Sequence, residues 1–306
     1  MHSRALAPSG LPYYCGMPRG WLALTDDQRP PTRLILWEPL SQAEIPLPPF
    51  TTIAQLFLLG DPLASPAGWM ATASQKIPGA QIGQMPFFWR PRDAAWMIQP
   101  EYPIGQTDGA AFHQGRLYIS DMRMRLSIFH LQQHPPKRMW LISLYTPLRT
   151  RYPSRLPGPG DPVPHVVACN NQLLLIMVYR GQGRPGPVIL VEVHHPDCAA
   201  DRLDIRGEKV TDLSDYSLFL GRDGTPLPLS SLALSVKDFP AIRRNCVYFV
   251  EHNTRKHEQW VIVFDLGSNA LERIPHPQEH MEGGCKNSGW LGYSWFCPRR
   301  PFVEAL

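Results

Sequence analysis

Apolar residues enter this chain in short bursts, each starting abruptly after a turn-forming or polar residue. Four bursts share one form: Gly20-Trp21-Leu22-Ala23-Leu24, Gly115-Arg116-Leu117-Tyr118-Ile119, Asn171-Gln172-Leu173-Leu174-Leu175 and Asn245-Cys246-Val247-Tyr248-Phe249. Each has a follower that begins 10 to 16 residues downstream: Arg33-Leu34-Ile35-Leu36-Trp37, Arg125-Leu126-Ser127-Ile128-Phe129, Pro187-Val188-Ile189-Leu190-Val191 and Trp260-Val261-Ile262-Val263-Phe264. β-branched and aromatic residues dominate these segments, and the spacing fits antiparallel neighbours joined by a hairpin loop. One paired-strand unit therefore recurs along the chain.

Two of the units agree further on. Leu34 to Pro39 runs through a polar turn to Ile45-Pro46, and Val261 to Leu266 runs through Gly267-Ser268-Asn269 to Ile274-Pro275. A proline at that place ends hydrogen bonding, as expected of an outer edge strand. Repetition of a small antiparallel sheet is the signature of a β-propeller, at ~40–50 residues per blade. The expectation is all-β: a β-propeller of about six or seven antiparallel blades in a single ring-shaped domain. The 95-residue interval between the first two copies leaves room for an extra blade. Phe87-Phe88-Trp89-Arg90 and Ala94-Ala95-Trp96-Met97-Ile98, around a Pro-Arg-Asp turn, are the candidates for it. A β-sandwich would explain the strand content but not the recurrence of a paired unit.

Helix is expected only as a turn or two, at Ser41 to Ala43 and in the Ser230 to Val236 region, where Pro46 and Pro240 stop both. Pro153 to Pro164, with five prolines and two glycines, reads as an exposed connection between blades. Residues 1–18 are expected to be a variable N-terminal segment, 19–300 the propeller and 301–306 a C-terminal tail. Leu291 to Phe296 is the candidate strand for closing the ring.

Composition supports the same class. The 34 prolines and 23 glycines are poor in element interiors and good in turns, so a helical bundle is excluded. The net charge of +4 is not gathered into one stripe along the sequence, which argues against a nucleic-acid partner. The six cysteines include no C-x-x-C pair and read as reduced thiols. No N-glycosylation sequon or leader pattern is present. The longest apolar run, Leu173 to Tyr179, has seven residues, against the ~18 a membrane helix needs. We expect an intracellular chain, cytoplasmic or nuclear, with no membrane partner.

Candidate chemistry is sparse. Gly181-Gln182-Gly183-Arg184-Pro185-Gly186 matches G-x-G-x-x-G, but it joins two strands, and Pro185 and Pro187 oppose the helix that would hold a pyrophosphate. His276-Pro277-Gln278-Glu279-His280 with Cys285 and Cys297 holds potential zinc ligands without the order or helix of a metalloprotease. His194 and His195, adjacent on a strand, point to opposite faces and do not converge on one metal. No G-x-S-x-G elbow is present. Pro46-Leu47-Pro48-Pro49 could form a polyproline ligand, but a connection between blades is the simpler reading. No catalytic, cofactor-binding, metal or binding residue is assigned, and no cofactor is expected.

Val210-Thr211-Asp212-Leu213-Ser214-Asp215-Tyr216-Ser217-Leu218-Phe219-Leu220-Gly221, followed by Ser230-Ser231-Leu232-Ala233 and Asn245-Cys246-Val247-Tyr248-Phe249, closely resembles the C-terminal signature of the plant KIB-type β-propeller family. Gly20 to Leu24 with Leu36-Trp37-Glu38-Pro39 resembles its opening blade. Arg90-Pro91-Arg92-Asp93 before Trp96 resembles its "RPGD…W" turn, and Gly115 to Tyr118 its "G-k-x-Y" strand. Glu38 stands where the family usually has Asn, and Arg92 where it usually has Gly. Many members carry an F-box of about 45 residues ahead of the propeller. Only about 12 residues precede the match here, so a Skp-type adaptor is not expected as a partner.

The resemblance implies a non-enzymatic protein-interaction propeller, like the substrate-recognition domain of F-box proteins in SCF-type ubiquitin ligases. Its partner would be a protein, as a ubiquitylation target or in a competitor role. The alternative is a propeller enzyme or small-ligand binder that uses the central channel.

Overall fold

Each predicted strand pair is a hairpin in the structure, a computed structural model that describes residues 8, 10–11, 13–16, 20–27, 33–50, 55–77, 83–101, 103–144, 162–181, 187–196, 209–221, 231–253 and 258–275. Blade 1 comprises β1 (Tyr13–Gly16), β2 (Leu22–Thr25), β3 (Leu34–Glu38) and β4 (Ala43–Leu47). Blade 2 comprises β5 (Gln55–Leu59), β6 (Met70–Lys76), β7 (Gln84–Trp89) and β8 (Met97–Ile98). Blade 3 comprises β9 (Thr107–His113), β10 (Arg116–Asp121), β11 (Arg125–His130) and β12 (Lys137–Ser143). Blade 4 has three strands, β13 (Val163–Cys169), β14 (Gln172–Arg180) and β15 (Val188–His194).

Blade 5 departs from this plan. It contains β16 (Tyr216–Leu220), β17 (Leu232–Ser235), β18 (Cys246–Asn253), β19 (Glu258–Asp265) and β20 (Leu271–Pro275), in the spatial order β17-β16-β18-β19-β20. β16 and β18 run parallel, in register from Leu218↔Val247 to Leu220↔Phe249.

The architecture is an all-β propeller, but among the described residues it has five blades, not six or seven. Dividing chain length by residues per blade assumes short connections throughout. Here 19 residues, 144–162, separate blades 3 and 4, another 21, 195–215, separate blades 4 and 5, and blade 5 alone takes 60, 216–275. The predicted second blade is present as β7 and β8. The helical turn expected near Ser230 to Val236 is instead β17, because Leu232, Ala233 and Leu234 find partners on β16. The first strand, β1, lies within the segment set aside as N-terminal. Leu291 to Phe296 and the 301–306 tail are outside the described residues.

Successive blades share their cores. Trp21, Leu34 and Leu36 of blade 1 pack with Leu56, Leu58 and Trp89 of blade 2. Phe88 of blade 2 packs with Phe112, Leu117 and Phe129 of blade 3. Tyr118 and Ile128 of blade 3 meet Leu173, Leu175 and Met177 of blade 4. Ile176, Val178 and Val191 of blade 4 meet Leu218, Val247 and Phe264 of blade 5. Central strands such as β14 are buried on both faces and so read as continuous apolar runs. The first strand of blades 1 to 4 is innermost: β1 touches β5, β5 touches β9, and β9 touches β13, which in turn meets β17, the inner edge of blade 5.

Two-residue hairpins close the tightest turns. Gln114 (φ 48°) with Gly115 (φ 70°), and Asn170 (φ 48°) with Asn171 (φ 57°), both place two residues in the left-handed region. That is the geometry of a primed turn, whose twist matches the flanking strands.

Candidate interaction surface

The hairpins that join second to third strands leave the blades at one rim, and in blades 1 and 3 a carboxylate orders them. In blade 3, Asp121 ends β10 and is only 1% exposed. Its Oδ1 accepts hydrogen bonds from the backbone N–H groups of Arg123 (2.9 Å) and Arg125 (3.2 Å). Its Oδ2 accepts from the N–H of Gly105 (2.8 Å) and from Nε and Nη2 of Arg125, at 2.9 and 2.7 Å. This two-pronged Arg–carboxylate contact is the strong, charge-assisted kind. A Cβ at residue 105 would lie 2.8 Å from the Asp121 carboxylate, so the close approach requires Gly105. The hairpin so braced presents Met122, 47% exposed, and the exposed Arg123.

Between blades 4 and 5, Glu251 on β18 plays a similar part. Its Oε1 accepts from Val188 N (3.3 Å) and from Arg180 Nη1 (3.2 Å), and Arg273 Nε lies 3.6 Å from Oε2. Ile189 on β15 and Ile274 on β20, the outer strands of these two blades, are exposed. In blade 1 the Asp26 carboxylate accepts from Arg33 N at 2.9 Å. Arg33, Leu34, Ile35, Glu44, Pro46 and Leu47 line a groove of about 470 Å³ there.

The opposite rim uses the same chemistry at the ends of third strands. Glu38 accepts from Leu40 N and Ser41 N, and Asp265 accepts from Gly267 N and Ser268 N. Those N–H groups hold the Asp265 carboxyl below its usual range, Ser268 contributing most. A glutamate thus fills the turn where the resemblance leads one to expect asparagine. Arg92, in the place of a glycine, is not among the residues of positive φ. Its turn is held by Asp93, which accepts from Arg90 N (2.8 Å) and whose own N–H reaches Arg90 O.

The motifs weighed in the sequence take these places. Gly181 follows β14 and bonds to Pro187 at the base of a hairpin, while 182–186 are outside the described residues. The His276 to His280 stretch, Cys285 and Cys297 are likewise outside them. His194 is buried on β15 with its Nε2 3.6 Å from Glu192, which also accepts from Tyr179 Oη (3.1 Å) and faces Lys209 Nζ (3.8 Å). Among the described residues no three metal-ligating side chains cluster. Pro46 lies in β4 opposite Ile35, and Pro48 O accepts from Trp96 Nε1 at 2.9 Å, so the proline run is built into the join of blades 1 and 2. Cys169 and Cys246 are free and buried, and burial pushes the Cys169 thiol up to about 11.

Sequence reading assigned no rim residue. An Asp or Glu closing a strand just before a short polar turn, as at Glu38, Asp121 and Asp265, was the available signal.

The family model of the KIB1-4 beta-propeller matches residues 2–268. No curated protein matches the sequence. Among solved structures the chain is similar to TolB from Acinetobacter baumannii, at 10% identity over 86% of this chain and 54% of that one, with a TM-score of 0.43. It is similar to BBS1N, solved in complex with ARL6DN, at 10% identity over 89% of this chain and 68% of that one, with a TM-score of 0.38. The N-terminal domain of Nup159 is 8% identical over 87% of this chain and 60% of that one, with a TM-score of 0.35. The chain therefore spans 54% to 68% of these solved chains.

Proposed function

Since the chain belongs to the KIB1-4 beta-propeller family, we propose that it is a non-enzymatic protein-interaction propeller, the substrate-recognising part of an SCF-type ubiquitin ligase receptor that works inside the cell. One observation carries this reading. Rim carboxylates that could serve as acids, bases or ligands are committed to bracing hairpins, as Asp26 is to Arg33 N and Asp121 is to three backbone N–H groups and to Nε and Nη2 of Arg125. What the braced hairpin offers to solvent is Met122 and Arg123, residue types enriched at protein interfaces. Recognition then rests on a rim preorganised by buried acids, which lowers the ordering cost of binding.

The test is affinity purification of the tagged chain from plant cells, followed by mass spectrometry. A reproducible protein partner that is lost on Met122→Asp with Arg123→Glu supports the reading. Co-elution of Skp and cullin subunits supports the ligase assignment, and the absence of any protein partner overturns the reading.

A further inference from the structure

A sheet edge offers unpaired N–H and C=O groups to any extended chain, and proteins blunt it by shortness, proline, charge or cover. The outer strands of four blades follow that rule. β8 has two residues. β4 carries Pro46 and a glutamate, Glu44, 3.7 Å from Arg33. β20 ends in Pro275, and its Glu272 and Arg273 lie 2.8 and 3.6 Å from Arg243 and Glu251. β15 is covered: Val191 and Val193 are fully buried, Val210 N donates to Val193 O, and His194 bridges Lys209.

β12, the outer strand of blade 3, is the exception. It has seven residues and no proline, its only charges are its first two residues, and none of the seven is buried. No strand pairs with its outer edge among the described residues. Met139, 37% exposed, and Leu141, 42% exposed, share one face with the exposed Lys137 and Ser143. Trp140 and Ile142, half-buried on the other face, pack against the core that blade 3 shares with blade 4. The register with β11 is irregular around Met139 and regular from Trp140 to Ser143. The irregularity and the two basic residues therefore protect only the start of the strand.

We propose that this edge pairs with the same edge of a second copy of the chain, antiparallel and about a two-fold axis at Leu141. Leu141 then lies opposite its own counterpart, Trp140 opposite Ile142 of the second copy, and Met139 opposite Ser143 of the second copy. Exposed residues meet exposed ones and half-buried residues meet half-buried ones, so both faces of the joined sheet stay consistent. Charge selects the direction. Parallel pairing would set Lys137 beside Lys137, whereas the antiparallel overlap of 139–143 leaves the basic ends outside it, the two lysines ~26 Å apart along the strands. The product is one eight-stranded sheet running through blade 3 of both copies, closed by the two-fold symmetry common among homodimers. This association goes beyond the protein-interaction reading and does not depend on it.

The experiment is sedimentation equilibrium on the whole chain over a concentration series. A reversible monomer–dimer equilibrium in the micromolar range is expected, because an edge pairing of this length is a small interface. Leu141→Lys sets two ammonium groups directly opposite each other and should weaken the dimer about tenfold or more. Ile189→Lys, at an exposed apolar position on β15, should leave it unchanged. Under mild oxidation Leu141→Cys should give a covalent dimer, since directly opposed Cβ atoms lie ~5 Å apart. Ile189→Cys and the unmodified chain should not, and thermal melts confirm that each variant folds. A chain that stays monomeric at every concentration, a dimer indifferent to Leu141→Lys, or equal cross-linking through Ile189→Cys would overturn the proposal. So would a monomeric chain whose cellular protein partner is lost on Leu141→Lys, because the edge would then receive a strand of that partner. Absence of any cellular partner, with the dimer intact, would instead sink the protein-interaction reading and leave this one standing.

Discussion

Asn245 precedes β18 at φ 58°, and its side chain fastens the incoming chain: Oδ1 accepts from Leu213 N at 2.9 Å, and Nδ2 donates to Thr211 O at 3.0 Å. Asn245→Ala should cost about 3 kcal/mol, about 2 from two hydrogen bonds and about 1 from the left-handed backbone. Asn245→Gly should recover the backbone share only, so urea midpoints of the two variants separate the contributions. Asp265 offers a pH-dependent case. Its folded pKa is depressed, so its contribution is present above the ordinary aspartate range and fades as pH falls through the folded value. The stability gap between the unmodified chain and Asp265→Asn should be open at neutral pH and close in strong acid, as followed by urea titrations at several pH values. Cys169 and Cys246, buried and with raised thiol pKa values, should react with a disulfide reagent only after denaturation.

Between elements, one hydroxyl braces the parallel junction of β16 and β18. Ser217 is fully buried; its Oγ donates to Arg243 O at 2.5 Å and accepts from Cys246 N at 3.1 Å. Ser217→Ala leaves the Arg243 carbonyl and the buried Cys246 N–H without that partner and should cost about 2 kcal/mol, with amide exchange rising first in β18. This junction was not legible in the sequence. The apolar pattern of Leu218-Phe219-Leu220 is the same whether the next paired strand runs parallel or antiparallel, because alternation reports which face is buried and not chain direction. The paired units themselves were legible because each central strand is apolar on both faces and bounded by turn residues, as Asn171 and Pro187 bound β14 and β15.

At the scale of the molecule, four cores each take residues from two adjacent blades, so no inner blade owns a complete core. Thermal unfolding should therefore be a single cooperative transition, seen as coincident circular dichroism and tryptophan fluorescence curves. Truncation after residue 215 would strip the cover from Ile176, Val178, Val191 and Val193. The shortened chain should aggregate; a soluble four-bladed protein with a sharp melt would contradict the shared-core account.

The recurrence of strand pairs, the edge prolines and the hairpin residues were determined by local physics, since burial on two faces, a missing N–H and positive φ all leave marks in nearby sequence. Blade number, the inserted β17 and both rim features were decided by tertiary structure. Asp121 looks like any turn acid until Gly105, 16 residues earlier, closes on it. Residues 113, 116, 130 and 137 line up across blade 3 only once four strands and one irregular register are in place. Cross-strand register, not sequence adjacency, brings these side chains together.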